Sequence, residues 1–281
     1  CFVKSMQVLV TPEMSLVERI KFALDDALNE GWKTTKEAMG SSDSEIQRQL
    51  TRKAELIYRY PSSEIAKEIL FGNLSDGELM FLKKSFLGMD INVFDLYRRV
   101  GRLEEAKKLG GLTLDRCFQT DDTALINRCG DFLTRVISGE AYTYMGEGDF
   151  ERAYESFSKV EGIFSSMKLE ASEGKDAVML YSVRAANLLN MAGISVDQGF
   201  FPEDMDINLS SAEENNSKSI TFMEERGGIR DPTWMSNYHY NSGLIFEYRG
   251  HLNEAIFDYK DALGFSEEGS QSVDTAEDLE K

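Results

Sequence analysis

The sequence predicts an all-α protein built from antiparallel helix hairpins, and three observations lead to that fold class. Only 4 of the 281 residues are proline. Strand-like residues are confined to the short N-terminal stretch CFVKSMQVLVTP, whereas apolar residues elsewhere recur every three or four positions, which is the period of a helix face. Two distant segments also share one order of small, aromatic and glycine residues.

Helix start and stop signals divide the N-terminal half into short segments. Ser15 precedes the first amphipathic helix, which Gly31 is predicted to end, and Pro61 is predicted to stop the second, because proline lacks the N–H that a helix needs. The predicted helices cover residues 15–31, 44–60, 62–70, 77–86, 92–100 and 103–109.

Longer helical patterns follow in the C-terminal half, at 121–146, 149–167, 174–196, 211–225, 232–249 and 252–265. Four regions result: an N-terminal extension at 1–14, a degenerate helical-repeat region at 15–110, a repeat region at 111–265 and an acidic tail at 266–281. Residues 197–209 are predicted to form a loop inserted in an enlarged hairpin. The tail lacks apolar periodicity and is predicted to be disordered.

The shared pattern occurs in GEAYTYMGEGDFERAYESF and in SGLIFEYRGHLNEAIFDYKDAL. Small residues in each helix allow two antiparallel helices to approach closely, aromatic residues fill the remaining space, and a glycine allows the left-handed backbone that ends a helix. The intervals 3, 4, 5, 4 and 3 separate Ala141, Tyr144, Gly148, Ala153, Phe157 and Val160, and equally Gly243, Phe246, Gly250, Ala255, Tyr259 and Ala262.

This pattern resembles the tetratricopeptide repeat (TPR). A third copy, VFDLYRRVGRLEEAKKLG, keeps the first intervals from Phe94 through Gly101 to Ala106, but Gly110 stands where the aromatic residue is expected. That copy is therefore degenerate. The resemblance implies hairpins stacked in a right-handed superhelix, an α-α solenoid.

The resemblance also implies a non-enzymatic scaffold that binds a protein or peptide partner in a concave groove, which the first helix of each hairpin lines. Aromatic, methionine and small polar residues suit an extended or helical peptide. The groove positions are Arg135, Ser138, Tyr142, Met145, Asn237, Tyr240, Leu244 and Tyr248. An alternative function is a small-molecule or peptide sensor, with a ligand pocket in the enlarged hairpin at 174–225.

The charge of the chain limits the partners further. A net charge of −18 repels nucleic acid and anionic lipid, so neither is expected as a direct partner. Membrane insertion is not expected either, except through a lipid anchor.

The three cysteines leave two questions open. Cys1 is a candidate lipidation site, because the chain resembles a mature bacterial lipoprotein in starting at cysteine, although Phe2 is larger than the residue usual at that position. The predicted location is accordingly the bacterial cell envelope or the cytoplasm. Cys117 and Cys129 could form a disulfide in an oxidising compartment or remain two buried thiols.

Motifs for catalysis, metal binding and cofactor binding are missing from the sequence. It contains no CxxC pair, no glycine-rich phosphate loop and no serine in a nucleophile elbow. Of the two histidines, His239 takes a position that packs inside a hairpin and His251 follows a turn. We therefore expect no cofactor and no enzymatic activity.

Overall fold

The computed structural model describes residues 15–71, 73–172, 174–199, 202–225 and 231–279. These residues form ten α-helices and contain no strand, which confirms the all-α class. The helices are α1 (Leu16–Gly40), α2 (Ser44–Phe71), α3 (Asp76–Arg99), α4 (Leu103–Phe118), α5 (Thr123–Glu147), α6 (Phe150–Ser166), α7 (Gly174–Gln198), α8 (Pro202–Glu225), α9 (Pro232–Tyr248) and α10 (Leu252–Leu279). Cys1 and the extension at 1–14 lie outside the described residues.

Two compact units make up the chain, residues 1–136 and 137–281, and the division falls within α5. In the first unit α1 packs on α2, α2 on α3 and α3 on α4. In the second unit α6 packs on α7, α7 on α8, α9 on α10, and α9 also on α7 and α8. Consecutive helices joined by short connections thus pair as antiparallel hairpins, and the chain has a TPR-like helical-repeat fold.

The hairpin of α5 and α6 confirms the predicted small-residue contact. Ala141 and Ala153 are both fully buried and share one core cluster with Phe157. Gly148 ends α5 with a φ of +80°, and the next N–H, that of Asp149, donates to the carbonyl of Tyr144 at 2.8 Å. The left-handed glycine therefore closes the helix end as the sequence predicts.

The hairpin of α9 and α10 makes the same contact more tightly. A Cβ added to Gly243 would lie 2.5 Å from Cε1 of Tyr259, so only glycine fits under that ring. The third copy, in α3 and α4, exchanges the two roles. There Gly110 lies beneath the ring of Phe94, and a Cβ added to Gly110 would lie 2.9 Å from Cζ of that ring. The glycine that interrupts the sequence pattern therefore preserves the contact between a small and an aromatic residue.

The prediction that Gly31 ends the first helix is wrong, because α1 continues to Gly40. Gly31 instead provides the small side of a helix contact, since an added Cβ would lie 2.4 Å from Cε1 of Tyr58 in α2. The hydroxyls of Thr34 and Thr35 donate to backbone carbonyls one turn earlier, at 2.8 Å each, and the helix continues past the glycine.

The predicted break at Pro61 is also wrong, because α2 runs through it to Phe71. Next to the proline, the hydroxyl of Ser63 donates to the carbonyl of Tyr60 at 2.8 Å. Similarly, the helices predicted at 77–86 and 92–100 form the single helix α3. Every residue from Met89 to Tyr97 is buried, and a helix enclosed on all sides shows no clear apolar face in its sequence.

The loop predicted at 197–209 is largely helical. Helix α8 begins at Pro202, a residue suited to the first helical turn because its missing N–H would be unpaired there. Met205, Leu209 and Ala212 then follow at helical spacing and pack against α7 and α9. The predicted disorder of the tail at 266–281 is wrong for residues 266–279, since α10 extends through Leu279, and residues 280–281 lie outside the described residues.

We expect the substitution Gly243→Ala to lower the free energy of unfolding by about 1–2 kcal/mol, because overpacking costs about 1–3 kcal/mol and improved helix propensity returns up to about 1 kcal/mol. The ring of Tyr259 has little freedom to move, since its hydroxyl donates to Glu247 at 2.5 Å. Chemical denaturation measures the change.

The control is Gly264→Ala in α10, where an added Cβ has no neighbour within 4 Å. That substitution should raise the free energy of unfolding by about 0.5–1 kcal/mol, since alanine loses less backbone entropy than glycine. Equal effects of the two substitutions would contradict the proposed contact.

Candidate functional site

A cavity of about 270 Å³ in the first unit combines basic, amide and aromatic side chains. Helices α1, α2, α3 and α5 all contribute to it. Its lining residues are Trp32, Thr35, Tyr58, Asn92, Asp95, Leu96, Arg99, Arg128 and Phe132. We call this surface the arginine–aromatic face.

Cations lie over two of the three aromatic rings of this face, those of Trp32 and Phe132. The guanidinium of Arg99 lies 5.0 Å from the ring centroid of Trp32, and the amine of Lys36 lies 5.2 Å from it. The guanidinium of Arg128 lies 5.8 Å from the ring of Phe132. Such contacts hold the cations over the rings and leave their outward edges available to an acceptor.

Positive charge exceeds negative charge at this face. Asp95 is the carboxylate in the lining, and it accepts from Arg98 at 2.7 Å and from Arg99 at 2.6 Å. Arg128 forms no ion pair among the described residues; its Nη2 donates to Oδ1 of Asn92 at 2.6 Å. The face is therefore locally basic, although the whole chain carries a net charge of −18.

Asn92 has a buried hydrogen-bond donor that is not satisfied. The residue is 8% exposed, and its Nδ2 has no hydrogen-bond partner among the residues that the structure describes. A buried donor without an acceptor costs about 1–3 kcal/mol, so native proteins rarely keep one without a reason. In the same wall, burial raises the pKa of Tyr58, although a hydrogen bond with Thr35 opposes that change, so the phenol keeps its proton.

A second cavity of the first unit, of about 520 Å³, is lined by polar and charged side chains. Glu55 lies in its wall and accepts from Tyr97 at 2.7 Å, from Arg59 at 3.0 Å and from Arg102 at 3.5 Å. The lining residues are Ser44, Gln47, Arg48, Thr51, Arg52, Glu55, Val100 and Arg102. Arg48 also pairs with Glu45 at 2.5 Å and Arg102 with Glu105 at 2.6 Å, so acidic neighbours balance two of the three arginines.

The groove positions predicted from the sequence differ in accessibility. Tyr142 is 52% exposed and its hydroxyl accepts from Nδ2 of Asn190 at 2.8 Å, while Tyr240 is 54% exposed. Asn237 is exposed and Ser138 is half-buried. Met145, Leu244 and Tyr248 are partly buried and pack against core clusters. In the first unit, Arg135 is exposed and its Nε lies 3.1 Å from Oδ1 of Asp131.

The two cysteines of the described chain are free thiols, and both are buried. A hydrogen bond between them lowers the pKa of Cys117 and raises that of Cys129, which is also raised by burial. Sγ of Cys129 also lies 3.6 Å from the carbonyl oxygen of Gly110. The pair therefore packs inside the contact between α4 and α5.

Sequence reasoning did not find the arginine–aromatic face, because its residues come from separate helices. The local signals are pairs one helical turn apart, such as Trp32 with Lys36 and Arg128 with Phe132, and such pairs are common on any helix surface. Arg99 and Arg128 belong to α3 and α5, and a single sequence does not show which side chains those helices bring together.

Comparisons with known proteins give similarity to solved structures alone. No family model and no curated protein matches the chain. Among solved structures, BtubC (BKLC) from P. vanneervenii is 16% identical with a TM-score of 0.46, covering 90% of this chain and 92% of that one. A structure of nearly identical TPR-like repeats of a putative kinesin light chain from Podosopora anserina is 13% identical with a TM-score of 0.44, covering 90% of this chain and 97% of that one.

In the described residues, no helix is both long and apolar enough to span a bilayer.

We expect Asn92→Leu to change the free energy of unfolding by less than about 1 kcal/mol, because the substitution removes an unpaired buried donor together with one hydrogen bond. The matched control is Asn216→Leu, at another buried amide, which donates to the carbonyl of Tyr238 at 3.0 Å and to Ser242 at 3.0 Å. That substitution should cost about 2 kcal/mol or more, since it leaves its partners unpaired. Thermal and urea unfolding of both variants measure the difference, and a larger loss for Asn92→Leu would show that Asn92 is a structural residue.

Proposed function

We propose that the chain is a non-enzymatic scaffold that binds a peptide segment of a partner protein, and that the arginine–aromatic face receives acidic and aromatic side chains of that segment. The single observation that carries the proposal is the convergence of Arg99, Arg128 and an unpaired Asn92 amide in one cavity with aromatic walls. Carboxylates are the partners that guanidinium and amide donors prefer.

The aromatic walls define the rest of the partner. Trp32 is partly exposed, and Phe132 lines the cavity beside it. Aromatic or aliphatic side chains of a peptide would cover these rings, because buried aromatic contacts supply most of the free energy of such interfaces. The expected motif therefore places acidic residues beside a large apolar residue.

In the second unit, the exposed rings of Tyr142 and Tyr240 support a further contact surface for a peptide. The hydrogen bond from Asn190 holds the hydroxyl of Tyr142 in place, so its ring is ordered before binding. Ordered aromatic side chains lose little conformational entropy when they bind, and tyrosine is enriched at interfaces for that reason. Asn237 supplies a polar group on the same first helix as Tyr240.

A small carboxylic acid is the second candidate ligand, and it corresponds to a sensor function. The arginine–aromatic cavity favours it, because about 270 Å³ accommodates a small molecule. The hairpin at 174–225, where the sequence suggests a pocket, packs Leu188, Leu189, Leu209 and Ala212 into one core cluster. A competition experiment distinguishes a peptide ligand from a small-acid ligand. Free amino acids and dicarboxylates should displace a bound peptide only if contacts inside the cavity supply most of the binding free energy.

Lipid anchoring through Cys1 stays a prediction of the sequence, because that residue lies outside the described ranges. If it holds, the scaffold acts at a bacterial envelope. Mass spectrometry of the N-terminal peptide from natively expressed protein would show a lipid adduct on Cys1, and an unmodified thiol there would refute the anchor.

We expect peptides selected from a displayed random library to be enriched in Asp and Glu beside Trp, Phe or Leu. Arg128→Gln should weaken their binding by about ten- to a hundredfold, since a hydrogen bond to a charged group contributes about 1.5–3 kcal/mol. In a Trp234→Phe background, the fluorescence of Trp32 reports binding directly, because these are the two tryptophans of the chain.

The matched control is Arg152→Gln in the second unit, which removes the same charge at an exposed position paired with Asp149. If the control weakens binding as much as Arg128→Gln does, net charge rather than the arginine–aromatic face governs affinity. Selection without any acidic preference would contradict the proposal itself.

The surface of the second unit has its own test. Tyr142→Ser and Tyr240→Ser should weaken binding of long partner peptides by about tenfold or less without changing the unfolding midpoint, because truncating an interface residue often costs about 1 kcal/mol. Leu252→Ser, at a 61% exposed position of α10, serves as the control and should leave affinity unchanged.

A further inference from the structure

Three potential metal ligands meet where α9 packs on α10. His239 comes from α9, and Asp258 and Asp261 lie one turn apart on α10. Their ligand atoms all lie within 4.8 Å of one another. Nδ1 of His239 lies 2.8 Å from Oδ1 of Asp258, a hydrogen-bonding distance. Two ligands of one tetrahedral zinc ion lie about 3.4 Å apart, so this pair must separate by about 0.6 Å to bind the same ion.

The imidazole of His239 is held in a fixed orientation. It stacks on Phe265 with a centroid distance of 5.5 Å and an interplanar angle of 10°, and Tyr238 meets its edge at 5.1 Å. The side chains of His239 and Asp258 are 18% and 15% exposed. The site is therefore ordered and partly dehydrated, yet a small ion can still reach it.

We propose that His239, Asp258 and Asp261 bind one divalent transition-metal ion, with zinc preferred. One imidazole nitrogen and two carboxylate oxygens form a three-residue set of the kind that zinc accepts, with water in the fourth position. The ion binds the lone pair of Nδ1, and the ring proton then resides on Nε2. The two carboxylates balance the charge of the ion.

Asp261 distinguishes this site from an ordinary pair of histidine and aspartate. The hydrogen bond to Asp258 already satisfies His239, so the hairpin does not need a second carboxylate at that place. Asp261 is half-buried and has no ion pair or hydrogen bond within the part of the chain that the structure describes. Two carboxylates this close repel each other unless a cation lies between them.

The identity of the ion follows from the ligands. Calcium takes six to eight oxygen ligands and magnesium keeps near-octahedral oxygen coordination, so neither suits a set with one nitrogen and few oxygens. Zinc and, more weakly, manganese accept imidazole with carboxylate. A bound ion would connect α9 to α10 beside the Gly243–Tyr259 contact and stabilise that hairpin.

Zinc titration of the full chain by calorimetry tests the site. We expect one zinc ion per chain at the site and an upward shift in melting temperature with zinc, but none with calcium or magnesium. His239→Gln and Asp261→Asn should each lower zinc affinity by at least about tenfold, since even the loss of a residue that only supports a ligand costs that much.

Controls separate this site from other groups that bind zinc. His251→Gln replaces the other histidine, which is exposed, and Asp206→Asn replaces an exposed aspartate; both should bind zinc as the unsubstituted chain does. Manganese serves as a second probe because thiolates bind it poorly, so the cysteines do not contribute. Asp261→Asn keeps the size of the side chain, and its melting temperature without metal shows whether the hairpin is intact.

The zinc and manganese titrations of these variants can support or refute the proposed metal site. Loss of zinc and manganese binding in His239→Gln and Asp261→Asn, with both controls unchanged, supports the site. Undiminished zinc affinity in either of these two variants, or a thermal shift that calcium reproduces, overturns it.

Discussion

Four helix contacts depend on a glycine that lies beneath an aromatic side chain of a neighbouring helix. Gly31 lies beneath Tyr58, Gly110 beneath Phe94, Gly193 beneath Tyr248 and Gly243 beneath Tyr259. An added methyl group would overlap the ring at Gly31, Gly110 and Gly243 and the hydroxyl of Tyr248 at Gly193, so the distance between the helices depends on the missing side chain. The contact does not depend on which helix supplies the glycine, as the exchange at Gly110 and Phe94 shows.

This packing buries polar side chains of α3, so they must form hydrogen bonds or ion pairs with protein groups instead of water. Because Met89 to Tyr97 are enclosed, Asp90, Asn92 and Asp95 must find partners inside the first unit. Arg116 lies 3.5 Å from Asp90, and burial raises the pKa of that carboxyl. Asp95 and Asn92 instead hold arginines at the edge of a cavity. The arginine–aromatic face is thus a direct consequence of burying polar residues in a central helix, and its spare donor is the group that a partner would satisfy.

Local charge and total charge differ in this protein, and the difference bears on its partners. A net charge of −18 keeps the chain away from anionic polymers and lipids at long range. At short range, three arginines line the second cavity, and Arg99 and Arg128 line the first. The acidic segment of the proposed partner would be attracted only where the guanidinium groups are close, which would favour recognition of a specific motif over general adhesion. The aspartates beside His239 create the opposite local charge in the second unit, where a cation is favoured.

The sequence by itself determined the hairpins of α5–α6 and α9–α10. Their signals are local: Gly148 and Gly250 adopt φ values of +80° and +79°, and the small residues follow at fixed intervals. Only the tertiary structure decided that α1 continues past Gly31, that α2 continues past Pro61 and that residues 202–209 join α8. Packing against neighbouring helices supplied the free energy that offset the unfavourable local signals. The same reason applies to the sites. Trp32, Asn92 and Arg128 lie together because three helices pack against one another. His239 lies beside Asp258 and Asp261 because α9 pairs with α10. Neither group of residues shows a fixed spacing in the sequence, because its members come from different helices.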